Sequence, residues 1–124
     1  MAHEYLEVLE RVPPPPSKQP EVVAELEAFC ADIESFKQGR LTCYLVSGST
    51  TNWGQEWRAT MRSVARGYEH VLLRAYVPVS GLPVKLDLYD RDVLNCTELG
   101  EVRAALKEFL QRPNVRETIE VYAR

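Results

Sequence analysis

Cys96 has the setting of a nucleophile. It stands between Asn95 and Thr97, directly before a stretch with helical periodicity. A thiol at a helix start meets unpaired amides and the positive end of the helix dipole, both of which favour the thiolate, and Arg91 is near in sequence. The competing reading is packing, which is also the simplest fate of Cys30 and Cys43, since both fall at apolar positions. Asn95-Cys96-Thr97 spells a glycosylation acceptor by letter, but no secretory signal accompanies it, so we read the match as chance.

A second constellation is cationic. Of the two histidines, His3 lies in the N-terminal stretch, which leaves His70 as the candidate base. Strand alternation places His70 with Leu72, Arg74 and Tyr76 on one face. Lys85 and Asp87 belong to the same face on the next strand, and Arg58 and Arg62 to it on the preceding one. Such a surface suits an anion or a carboxylate; the competing reading is a solvated sheet face with cross-strand ion pairs. Asp87, Asp90 and Asp92 could converge on magnesium or calcium, but no glycine-turned calcium loop accompanies them, so we read turn-forming aspartates. Ser47 to Asn52 could offer amides to an anion yet lacks a phosphate-loop lysine. The nucleotide, zinc-protease and hydrolase signatures are all missing. No cofactor and no metal are expected.

These residues need elements to hold them. Tyr5, Val8, Leu9 and Val12 recur at helical spacing, and Pro13 to Pro16 then stop any helix. Residues 1–19 therefore read as an N-terminal docking segment and a polyproline linker; a basic SH3-type ligand would need a further proline at position 17. Residues 20–124 read as one α+β domain. Pro20 suits a first helical turn, Val22, Val23, Leu26, Phe29, Cys30, Ile33 and Phe36 form a broad apolar face, and Gly39 marks the end. From Arg40 the period becomes two, giving a strand that ends in a polar loop from Ser47 to Gly54.

Three further strands, Glu56 to Ala65, Glu69 to Val77 and Leu82 to Tyr89, complete a four-stranded antiparallel meander. Val71, Leu73, Ala75 and Val77 make its third strand's apolar face, which helices must cover. Asn95 or Thr97 can cap a helix carrying Leu99, Val102, Leu106, Phe109 and Leu110, interrupted at Arg112-Pro113. The tail from Asn114 to Ala123 reads as helix, with a strand over Thr118 to Val121 as the alternative. The fold class is thus a meander sheet flanked by an N-terminal and a C-terminal amphipathic helix.

Composition bounds the rest. With 124 residues, 45% hydrophobic and 27% charged, the chain has the make-up of a single globular domain. Three cysteines without a paired spacing point to a reducing, cytoplasmic compartment and away from structural zinc. No stretch has the length and apolarity of a membrane span or the pattern of a signal peptide. A net charge of −3 disfavours nucleic acid. Residues 1–38 nevertheless carry eight acids and three bases, and residues 56–86 two acids and five bases.

The order helix, four-stranded meander, cysteine-bearing loop, helix resembles the ubiquitin-conjugating (UBC-like) fold and its noncatalytic relatives, the RWD domains. Tyr68 to Pro78 and Gly81 to Leu86 look like that family's third strand, proline-containing turn and fourth strand. The resemblance covers about residues 20–110. It implies that Cys96 would match the thioester-forming cysteine, with a conjectural oxyanion role for Asn95. The family's His-Pro-Asn element is absent, Tyr89-Asp90-Arg91-Asp92 standing in its place, and the noncatalytic version fits that gap. The expectation is a non-enzymatic protein-interaction or regulatory domain, whose partner is another protein or, through the N-terminal segment, a second copy. The alternatives are a thiol enzyme acting through Cys96 and a small-anion binder.

Overall fold

The computed structural model describes residues 4–12, 17–89 and 93–124. Its elements are α1 (Glu4–Arg11), α2 (Gln19–Phe36), β1 (Leu41–Thr51), β2 (Gly54–Ser63), β3 (Glu69–Val77), β4 (Val84–Asp87), β5 (Leu94–Cys96), α3 (Leu99–Leu110) and α4 (Pro113–Tyr122). The strands pair antiparallel in chain order, β1-β2-β3-β4-β5. The α+β class and antiparallel meander are as the periodicities imply, but the sheet has five strands where four are expected. The fifth is three residues long and has no periodicity of its own. Only its pairing, Val84 with Cys96, Lys85 with Asn95 and Leu86 with Leu94, makes it a strand. Asn95 therefore caps no helix; Glu98 occupies that position, and the Thr97 hydroxyl donates to Glu101 at 2.8 Å.

The polar stretch after Val46 is also strand rather than loop. β1 continues through Thr51 and turns on Asn52-Trp53 alone, with Thr51 opposite Gly54. Its polar side chains are satisfied across the hairpin: the Gln55 amide donates to the Gly48 carbonyl at 2.6 Å and the Thr51 hydroxyl to that of Gly54 at 3.0 Å. β2 correspondingly begins at Gly54 and ends at Ser63, and β4 is confined to Val84–Asp87. The tail is helical, as α4, with Pro113 in its first turn. The four prolines 13–16 lie outside the described residues.

One core sits between the sheet and α2, α3 and α4. α2 contributes Val22, Leu26, Phe29, Cys30 and Ile33, α3 contributes Val102, Leu106 and Phe109, and α4 contributes Val115 and Ile119. They meet Leu41, Cys43, Ala59, Met61, Leu73, Ala75, Val77, Val84 and Leu86 from the sheet. Each fully buried aliphatic side chain stabilises the fold by roughly 1.5–3 kcal/mol relative to exposure. α1 stands apart from this accounting, because none of its residues is buried.

At its N-terminus α2 is fastened to the β3–β4 turn. The Lys18 amide donates to the Ser80 carbonyl at 2.8 Å and the Ser17 hydroxyl to that of Val79 at 2.6 Å. Gly81, at φ 91°, lies so close to the Lys18–Gln19 backbone that a Cβ would collide with it. Leu82-Pro83 is a cis peptide.

Candidate functional site

A single backbone irregularity divides the expected cationic cluster. In the β2–β3 ladder Ala59 pairs with Leu73 but Thr60 pairs with Val71, so Leu72 is an extra, unpaired residue. A bulge of this kind puts two consecutive side chains on one face and reverses parity beyond it. Leu72 and Leu73 are both buried in the core, Val71 crosses to the open face, and His70 pairs with Met61 on the helix-covered face. His70 is therefore separated from Arg74, Lys85 and Asp87, contrary to the alternation. Its ring lies 5.3 Å from that of Tyr122 on α4, and burial pushes its pKa below the usual histidine value.

The remaining members do share the open face. Arg58 stands directly opposite Arg74, and Arg74 opposite Asp87. Between the two arginines lies Glu56, whose side chain is only 17% exposed; its carboxylate is 3.5 Å from Arg58 Nε and 3.9 Å from Arg74 Nη1. Gly48 makes room for it, since a Cβ there would occupy the place of the Glu56 carboxylate. Both Arg Nε atoms are buried without a hydrogen bond. Asp87 spends an oxygen on the Tyr89 amide, 3.0 Å away. Arg62 sits further along the face, 3.9 Å from Glu69.

Aromatic rings frame these charges. Trp53, at the hairpin tip and 46% exposed, meets Tyr76 edge-on at 5.2 Å, and Lys85 lies 5.4 Å from the Trp53 ring while donating to Asn95 Oδ1 at 3.2 Å. The Arg74 guanidinium lies 5.8 Å from the Tyr89 ring. Tyr89 and then Glu56 hold the Arg74 pKa above its ordinary value, against the opposing effect of burial, so this cation is permanent. Burial raises the Tyr89 phenol, which stays protonated at neutral pH. Strand spacing makes Trp53 look like a loop residue, and nothing in the sequence pattern places it beside Lys85. Only the hairpin and the sheet twist do so.

Cys96 points the other way. It is 4% exposed, and burial first and Glu101 second raise its pKa, the reverse of what a nucleophilic thiol requires. Because Asn95 and Cys96 are neighbours on β5, their side chains lie on opposite faces, so Asn95 cannot face an oxyanion formed at Cys96. Cys43 is raised further, by its hydrogen bond with Cys30 and by burial. Asp90, Arg91 and Asp92 lie outside the described residues. Among the described residues no group of three acids, histidines or cysteines could hold a metal ion, and no helix is long and apolar enough to cross a membrane.

Comparison with models of protein families, with curated proteins and with solved structures yields no match, so what the site can do follows from its own residues.

Proposed function

We propose that this chain is a non-enzymatic protein-interaction domain whose open sheet face receives an acidic segment of a partner protein. The observation that carries the proposal is the Arg58–Arg74 pair. Like charges directly opposite on neighbouring strands destabilise a sheet, and here two guanidinium groups share one carboxylate while neither Nε completes a hydrogen bond. Over the described residues of this face Arg58, Arg62, Arg74 and Lys85 stand against Glu56, Glu69 and Asp87, an excess of one positive charge. A partner carboxylate would neutralise it, and the exposed faces of Trp53 and Tyr89 would supply contact area beside it. Glu56, Glu69 and Asp87 on the same face, with the net charge of −3, argue against a polyphosphate partner. The absence of catalytic signatures and the noncatalytic side of the RWD resemblance support the same reading, as does the buried, protonated Cys96.

The test is a peptide array graded in acidic content, probed with the intact chain and with Arg74→Ala. Retention should rise with acidic content, fall with added salt, and weaken by about tenfold in the variant, the size expected for loss of one charge-assisted contact. Equal binding of neutral and acidic peptides would overturn the proposal.

A further inference from the structure

On the other side of the bulge lies a cavity of about 490 Å³ between β3, the end of β4 and the α3–α4 corner. Its floor is apolar: Leu72, Leu88, Phe109 and Val115 are all buried. Among the described residues its rim is polar and carries no acid, lysine or arginine; His70, Tyr89, Asn114 and Thr118 make it. The volume falls in the roughly 300–1,000 Å³ range of small-molecule pockets, and an apolar floor with a few convergent polar groups is their usual make-up.

Three departures from regular backbone meet at this place. The unpaired Leu72 brings both itself and His70 to the cavity side, where an unbulged strand would turn them to the open face. Tyr89 holds φ 69°, a conformation that costs a non-glycine residue energy and recurs where structure serves binding. The chain breaks between α3 and α4 at Arg112-Pro113, which sets Asn114 and Thr118 over the mouth.

We propose that this cavity binds a small, uncharged, planar molecule carrying one hydrogen-bonding group. Neutrality follows from the lining, in which, among the described residues, no lysine, arginine, aspartate or glutamate takes part, so an ionic ligand would lose water without gaining a counter-charge from them. Burial lowers the His70 pKa, which leaves the imidazole neutral at physiological pH and able to donate or accept. A wholly apolar ligand would strip water from His70 and Asn114 and give nothing back, which is why one polar group is required. The planar shape suits the Phe109 and Tyr89 rings that line the cavity.

The experiment is a titration of the intact ¹⁵N-labelled chain with indole, followed by amide chemical shifts, with benzoate as the charged probe. Saturable shifts confined to the cavity residues, at indole concentrations up to about 10 mM, are expected, with no such response to benzoate. His70→Leu should weaken indole by about tenfold; because His70 is not one of the buried core residues, this variant leaves the core intact. Thr118→Phe, at a half-exposed helix position, should fill the mouth and abolish the shifts. Indole shifts that do not saturate, that spread over the open sheet face, or that survive unchanged in His70→Leu would overturn the proposal. An equal response to benzoate would overturn its claim to neutrality.

Discussion

At the residue scale, the decisive quantity for each candidate is the environment its charge would meet. Cys96 illustrates this: it ends β5 instead of starting a helix, and burial and the neighbouring Glu101 carboxylate raise its pKa from 9.0. Because the folded-state value lies above the unfolded one, this protonated thiol contributes stability below about pH 9 that is lost as pH rises through the folded value. Alkylation with iodoacetamide, followed by peptide mass spectrometry at neutral pH, should find Cys30, Cys43 and Cys96 at least about two orders of magnitude slower in the native protein than in urea. A native Cys96 reacting at the pace of the denatured thiol would revive the nucleophile. Arg74 shows the opposite balance. A tyrosine ring and a shared carboxylate keep it charged, and its buried Nε makes no hydrogen bond, which is the ground on which we propose it for partner binding.

At the element scale, the fold depends on a few places where backbone meets backbone. The strongest is the seam between the start of α2 and the β3–β4 turn, where Gly81 at φ 91° abuts the Lys18–Gln19 peptide. Gly81→Ala would combine a left-handed conformation unfavourable for alanine with a collision that neither backbone can relieve, and should destabilise the protein by about 2–4 kcal/mol. Urea denaturation followed by circular dichroism checks this; a loss under about 0.5 kcal/mol would mean that the seam gives way easily. α4 is held differently, by side chains: Lys37 Nζ donates to Glu120 at 2.6 Å, and Arg116 reaches the same carboxylate at 3.7 Å while lying over Phe36. The edge of the sheet is also guarded, since the outward Cys43 amide donates to Glu34 of α2 at 3.2 Å instead of standing free for another strand.

At the scale of the whole molecule, the chain is a sheet with helices on one face, a mixed cationic and aromatic surface on the other, and an amphipathic helix that shares in neither. Tyr5 is 86% exposed, and Leu9 and Val12 are exposed beside it, so a chain beginning at Ser17 should melt within about 2 °C of the full one by calorimetry. A fall of about 10 °C would show that α1 contributes to the fold, either on its own domain or through a second copy. Much of the architecture was legible in the sequence by itself. Helical and strand periodicities, Pro20, Gly39 and the Arg112-Pro113 break mark out α2, the meander and both C-terminal helices, because each depends on contacts or conformations within a few residues. So does the distinction between Arg74 with Tyr76 and Ala75 with Val77, one pleat apart. Tertiary structure alone decided the rest. β5 is too short to have a period and exists only by pairing with β4, β1 extends through a polar stretch because β2 satisfies it, and the Leu72 bulge reverses the parity on which the placing of His70 depended. Burial of Cys96 is a property of the assembled core, not of its neighbours in the chain. Local rules encode period and breakage; they cannot encode register, which is fixed only when one strand meets another.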